Sequence, residues 1–128
     1  MDTSRFASVP VLAALPAAEL DQLSGAMNEV EIEAGWEFIT IDVYGTAVYF
    51  IEQGEAEVRF ADGTSESLGP GDTCGEIALL VTGQRTATVV ARTPMRLLQL
   101  LGRDFERIRE RVPELERSLR GLALERSG

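Results

Sequence analysis

The sequence predicts a mainly β domain, a jelly roll or barrel, with an N-terminal helix before it and two C-terminal helices after it. Three observations carry this. Between residues 29 and 100, short runs alternate apolar and polar residues with a period of two. Turn signals separate the runs: Ala34-Gly35, Gln53-Gly54, Asp62-Gly63 and Gly69-Pro70-Gly71-Asp72. On both flanks the apolar period changes to three or four. Many short strands with regular turns close most simply into a roll or barrel.

The elements follow in order. Leu15-Pro16-Ala17-Ala18-Glu19-Leu20 reads as a helix start, with Pro16 at the first helical position and Glu19 suited to the positive end of the helix dipole. Leu20, Leu23 and Met27 then fall on one stripe, and residues 9–28 are assigned to this helical part. The β part spans 29–101. Strands are expected at 29–33, 36–41, 46–52, 55–61, 64–68, 85–91 and 95–100, with Ala56, Val58 and Phe60 sharing one face. Asp62-Gly63 is a strong hairpin signal. Residues 75–81 form an island of helix formers long enough for one short helix. From 102 to 126 the stripe Phe105, Ile108, Val112, Leu115, Leu119 and Leu122 is helical, and Pro113 divides it in two. Arginines and glutamates between the leucines can pair at i, i+4.

Composition narrows the function. A length of 128 residues suits one domain with one core. The single cysteine, Cys74, excludes an internal disulfide and is expected to be a small buried residue. Histidine is absent, which removes the commonest metal ligand and general base, so neither a metal site nor a catalytic residue is expected. No segment reaches the roughly 20 apolar residues of a membrane span, no basic lead-in suggests a signal peptide, and a cytoplasmic location without membrane contact is expected. Net charge is −9, unevenly spread: from Arg103 onward seven arginines face six acids, whereas the first 102 residues hold five arginines and fifteen acids. So acidic a body repels nucleic acid, and any anion site in it must be local and shielded.

One stretch suits such a site. Gly75-Glu76-Ile77-Ala78-Leu79-Leu80 follows glycine-rich turns, and Arg85 comes just before the next strand. The first amides of a helix lack internal partners and carry partial positive charge. Glycine at 75 lets a ligand approach the backbone, and a guanidinium grips phosphate oxygens through two parallel hydrogen bonds. Glu76 repels phosphate but can accept from a sugar hydroxyl beside it. Together these groups suit a ribose phosphate better than a bare phosphate.

Gly75, Glu76, Ile77, Ala78, Leu79, Leu80, Arg85, Thr86, Ala87 and Val89 resemble, in order and spacing, the phosphate-binding cassette of the cyclic nucleotide-binding domain family. Tyr49-Phe50-Ile51 with Gly54, and Pro70-Gly71-Asp72, resemble that family's other signature turns. Ile41-Asp42-Val43, Cys74 and Gln84 depart from its pattern. The resemblance implies a β-roll (double-stranded β-helix) and a cAMP or cGMP ligand, with no other cofactor. It implies that Arg85 binds the cyclic phosphate with amides near Ile77 and Ala78 and the Thr86 hydroxyl. Glu76 would take the ribose 2′-hydroxyl, the base would lie near Val58 and Cys74, and Leu119 and Leu122 would close over it as a lid. Partners then are the cyclic nucleotide and either a second copy or an effector, linked or separate.

Two other readings stay beside this one. The same roll with a dead pocket would be a structural or dimerisation module, with Arg85 simply paired to Glu76. An enzyme reading is weaker, because a carboxylate held by an arginine is a poor general base.

Overall fold

The computed structural model describes the backbone of residues 1–39, 47–76, 80 and 87–127, and side chains as far as residue 125. Among these residues two four-stranded antiparallel sheets face each other. The first joins β1 (Asn28–Ile32), β8 (Met95–Leu101), β3 (Ala47–Gln53) and β6 (Thr73–Cys74) in the order β1-β8-β3-β6. The second joins β2 (Glu37–Ile39), β7 (Ala87–Ala91), β4 (Ala56–Phe60) and β5 (Ser65–Leu68) in the order β2-β7-β4-β5. The architecture is the mainly β roll with flanking helices that the alternation predicts.

The first sheet is buried on both faces, and this organises the whole core. Val48, Phe50, Leu98 and Leu100 pack towards the helices, while Ile51, Met95, Leu97 and Cys74 pack towards the second sheet. β8 therefore reads Met-Arg-Leu-Leu-Gln-Leu-Leu, an almost continuous apolar run rather than a strict alternation. β1 lies at the sheet edge, so its glutamates reach water and keep the period of two. Arg5 and Arg96 both pair with Glu29 there, which ties the N-terminal segment and β8 to that edge.

The helical layer contains a 3-10 helix (Thr3–Ser8), α1 (Pro10–Ala13), α2 (Ala17–Ser24), α3 (Gly102–Ile108), a second 3-10 turn (Arg109–Arg111) and α4 (Pro113–Ser127). Phe6, Leu12 and Leu23 meet Phe105, Ile108, Val112, Leu115 and Leu119 in one cluster against the first sheet. Pro113 opens α4, where its missing N–H is harmless.

Several details differ from the sequence reading. Pro16 is the N-cap of α2 rather than its first residue. The 3-10 helix at the N-terminus and the two-residue strand β6 carry no periodic signal, because both are too short for a period to repeat more than once or twice. Trp36 precedes β2 and is 60% exposed. In α4 the buried row is Leu115, Leu119 and Ala123, each four residues on, and Leu122 stands half-buried at its margin. Surface pairs on the C-terminal helices form mostly at i, i+3, with Arg120–Glu116 at i, i+4.

Glu19 does something other than stabilise its own helix. It is buried, and its carboxylate accepts hydrogen bonds from the backbone N–H groups of Glu114 at 3.2 Å and Leu115 at 3.0 Å. Those amides belong to the first turn of α4, where no intrahelical acceptor exists. A residue of α2 thus caps α4 from across the layer, and the charge suits the positive end of that helix.

Candidate functional site

The site is built where the two sheets approach the ends of β6 and β7. The turn before β6 is fixed by its own backbone. Gly69 N–H donates to Asp72 Oδ2 at 2.8 Å, Gly71 N–H to Ile51 O at 2.8 Å, and Ile51 N–H to Asp72 O at 2.9 Å. The turn is thereby locked to β3 and delivers β6 into register, with Tyr49 opposite Cys74 and Phe50 opposite Thr73. Gly75 follows at φ +92°, a region that side chains with a Cβ rarely adopt. That conformation turns the chain inward and sets Glu76 inside, 1% exposed.

The opposite wall belongs to the second sheet. Val58 lies across from Val89, and Phe60 across from Ala87. Ala87, Val89 and Ala91 alternate inward along β7 and share a cluster with Val58, Cys74 and Ile51. Phe38 meets Tyr49 edge to face, with ring centroids 5.6 Å apart, and the Tyr49 hydroxyl accepts from Gln99 Nε2 at 3.3 Å. The inside of the roll is therefore lined by an apolar cluster, and Glu76, two residues after Cys74 of that cluster, is buried.

Of the residues singled out in the sequence, Val58, Cys74, Gly75 and Glu76 come together here: Val58 and Cys74 share the apolar cluster, and Gly75 and Glu76 follow Cys74 directly. Ile77, Ala78, Arg85 and Thr86 lie outside the described residues, as do most of the expected short helix at 75–81 and the Ile41-Asp42-Val43 loop. Their anchor points are described. β6, before these residues, belongs to the first sheet, and β7, after them, belongs to the second. Arg85 and Thr86 immediately precede Ala87, whose cross-strand neighbour is Phe60.

Leu119 lies elsewhere. It is fully buried in the helical cluster with Phe6 and Leu12, on the far side of the first sheet from Val58 and Cys74. In this structure α4 is docked on the N-terminal helices, and Glu19 holds its first turn there. Sequence reasoning missed that contact, since only the fold brings residues 95 positions apart together.

The sequence pattern of the family described as cyclic nucleotide-binding domain matches residues 29–112. A cyclic nucleotide-gated potassium channel of Rhizobium etli is 34% identical over 122 residues, covering 95% of this chain and 34% of the channel. A cAMP-dependent protein kinase regulatory subunit of Yarrowia lipolytica is 37% identical over 102 residues, covering 78% of this chain and 27% of the subunit. Among solved structures, the regulatory subunit of a cAMP-independent protein kinase A from Trypanosoma brucei superposes with a TM-score of 0.84 at 27% identity, covering 94% of this chain and 44% of that one. The chain spans about a third or less of the length of these two curated relatives.

Proposed function

The chain belongs to the cyclic nucleotide-binding domain family, and from that premise we propose that it is a regulatory sensor that takes cAMP or cGMP into the roll. The observation that carries the reading is the buried carboxylate of Glu76, set inside by the positive φ of Gly75 next to an apolar cluster. Burying a carboxylate is costly unless it is hydrogen-bonded, and at this place in the family's cassette a carboxylate suits a sugar hydroxyl. In this reading Arg85, the amides near Ile77 and Ala78 and the Thr86 hydroxyl hold the cyclic phosphate. Glu76 accepts from the ribose 2′-hydroxyl, and the base rests near Val58 and Cys74. The ligand is bound and released unchanged.

Signal output passes through α4. For Leu119 and Leu122 to close over a base, α4 must leave Glu19 and the cluster around Phe6 and Leu12. A ligand moves such an equilibrium only by its differential affinity for the docked and closed positions. The partner that senses the change is an effector, covalently linked or separate, or a second copy of the domain, and the cytoplasm is the compartment where these ligands and effectors meet.

A second reading, a non-binding roll used as a structural or dimerisation module, is favoured by one observation: the Trypanosoma brucei subunit with this fold is named as cAMP-independent. Titration calorimetry with each cyclic nucleotide separates the two. Heat that saturates in the wild type and falls roughly 100-fold in affinity in Arg85→Ala supports the sensor, a loss typical of truncating one half of a desolvated charge pair. Absence of heat with either nucleotide at millimolar concentration leaves the structural module. Chromatography of the recovered nucleotide tests the sensor against an enzyme, since turnover contradicts simple binding.

A further inference from the structure

Among the described residues the buried acids are Glu19 and Glu76, and Glu19 takes no part in the proposed site. Its place in α2 explains why it serves another helix. It is the third residue of α2, and a glutamate there ordinarily bonds back to the N–H of the N-cap residue. The N-cap of α2 is Pro16, which has no N–H. The carboxylate is left to other donors, and it takes Glu114 N–H at 3.2 Å and Leu115 N–H at 3.0 Å. The first turn of α4 depends on this. An α-helix begins with four N–H groups that have no partner inside it. In α4 Pro113 carries none, and Glu116 N–H reaches back to Val112 O at 3.1 Å. Glu114 and Leu115 are left, and both go to Glu19. Val112, just before Pro113, has an apolar side chain and cannot cap the helix. The acceptor that α4 lacks locally is therefore supplied by α2.

We infer that Glu19 is a latch: it holds α4 on the N-terminal helices and thereby lowers the affinity of the domain for its ligand. It is a positioning residue, since it acts through α4 and not on the ligand. The inference rests on the proposed reading, in which α4 must leave its docked position to cover a base. Two kinds of contact hold α4 there. The cluster of Leu115 and Leu119 with Phe6, Leu12 and Leu23 is apolar, and apolar attraction has no direction, so it tolerates sliding. The two hydrogen bonds to Glu19 fix one position, because each amide must meet a carboxylate oxygen in line. Leaving that position exchanges two charge-assisted bonds for bonds to water and uncaps the start of α4. A domain whose binding-competent state is thinly populated binds more weakly in proportion to that fraction. A contact made only in the docked position therefore weakens binding from a distance.

The test reads the position of α4 and the affinity separately. Spin labels on Leu124→Cys, at the exposed end of α4, and on Ser67→Cys, exposed in β5, report where α4 lies with no ligand present, while the chain's own Cys74 is buried. The labelled chain with Glu19 intact should give one dominant distance. Glu19→Ala should add a second distance, and Glu19→Gln, which keeps an acceptor but no charge, should add less of it. Cyclic AMP should move the chain with Glu19 intact towards that same second distance. In calorimetry on unlabelled chains Glu19→Ala should bind cyclic AMP about 5- to 30-fold more tightly than the wild type, the ratio that a cap of ordinary strength implies. A merely structural Glu19 would lower the urea midpoint and leave affinity unchanged or weaker. That result, or a single distance in both Glu19 variants, overturns the latch and leaves the sensor reading intact. If neither the wild type nor Glu19→Ala binds cyclic AMP or cyclic GMP, the sensor reading fails. A second distance in Glu19→Ala then still shows the latch on α4, and its absence overturns both readings.

Discussion

Single residues show how burial, not type, sets a role. Glu19 and Glu116 are both acids near α4, yet they act differently. Glu19 supplies the acceptors for two amides of the first turn of α4. Glu19→Ala should cost about 1–2 kcal/mol in urea unfolding, the range for a lost N-cap that strands buried donors. A loss within 0.3 kcal/mol, on the order of a neutral surface change, would show that the cap contributes nothing. Glu116 is gripped by Arg109 and then Arg120, which hold its carboxyl down from the usual 4.5 to about 2. A value lowered by folding contributes stability that is present above the unfolded value and lost as pH falls towards the folded one. The urea midpoint of the wild type should therefore drop between pH 4.5 and pH 2 by more than that of Glu116→Gln. Parallel decline of the two proteins would remove the pair from the acid response. The sequence marked Glu19 only as an acid at the start of its own helix and Glu116 not at all, because both sit among many glutamates.

Turns and helices are specified by close approach as well as by pattern. Gly54 joins β3 to β4 at φ +94°, and a Cβ there would come within 2.5 Å of the Pro94 carbonyl oxygen and 2.9 Å of Met95 Cα. Backbone atoms cannot step aside cheaply. Gly54→Ala should lose about 2–4 kcal/mol, combining the strained dihedral with the clash. Thermal unfolding close to wild type would mean that the turn can rebuild. In α4 the spacing of four gives Leu115, Leu119 and Ala123 to the core and leaves Leu124 67% exposed. Leu119→Ala should cost about 2–5 kcal/mol, as for other buried leucines, and Leu124→Ala less than about 0.5 kcal/mol. Equal effects would mean that the helix does not face the cluster as seen here. The same comparison bears on the lid, since a residue that is core in the docked position must be uncovered before it can cover a ligand.

At the level of the whole molecule, the first sheet separates two cores, one on the side of the helices and one inside the roll. A ligand that binds only the folded chain should raise its stability by about 2.7 kcal/mol at a hundredfold excess over Kd. The rise, followed as a shift in unfolding temperature, should vanish in Arg85→Ala; a shift that survives would place the ligand elsewhere. Much of this organisation was legible in the sequence. The alternating runs, their turns and the Gly75-Glu76 to Arg85 spacing determined the strands, the roll and the family, because period and turn chemistry depend on neighbours a few residues away. The family resemblance, not the periodicity, put Val58, Cys74 and Glu76 forward as a group. Only the tertiary structure decided which face of the first sheet meets helices and which meets strands, and that Glu19 serves a helix 95 residues later. Those facts depend on pairings between distant segments. A local pattern says which side of an element is apolar but carries no information about what that side will touch.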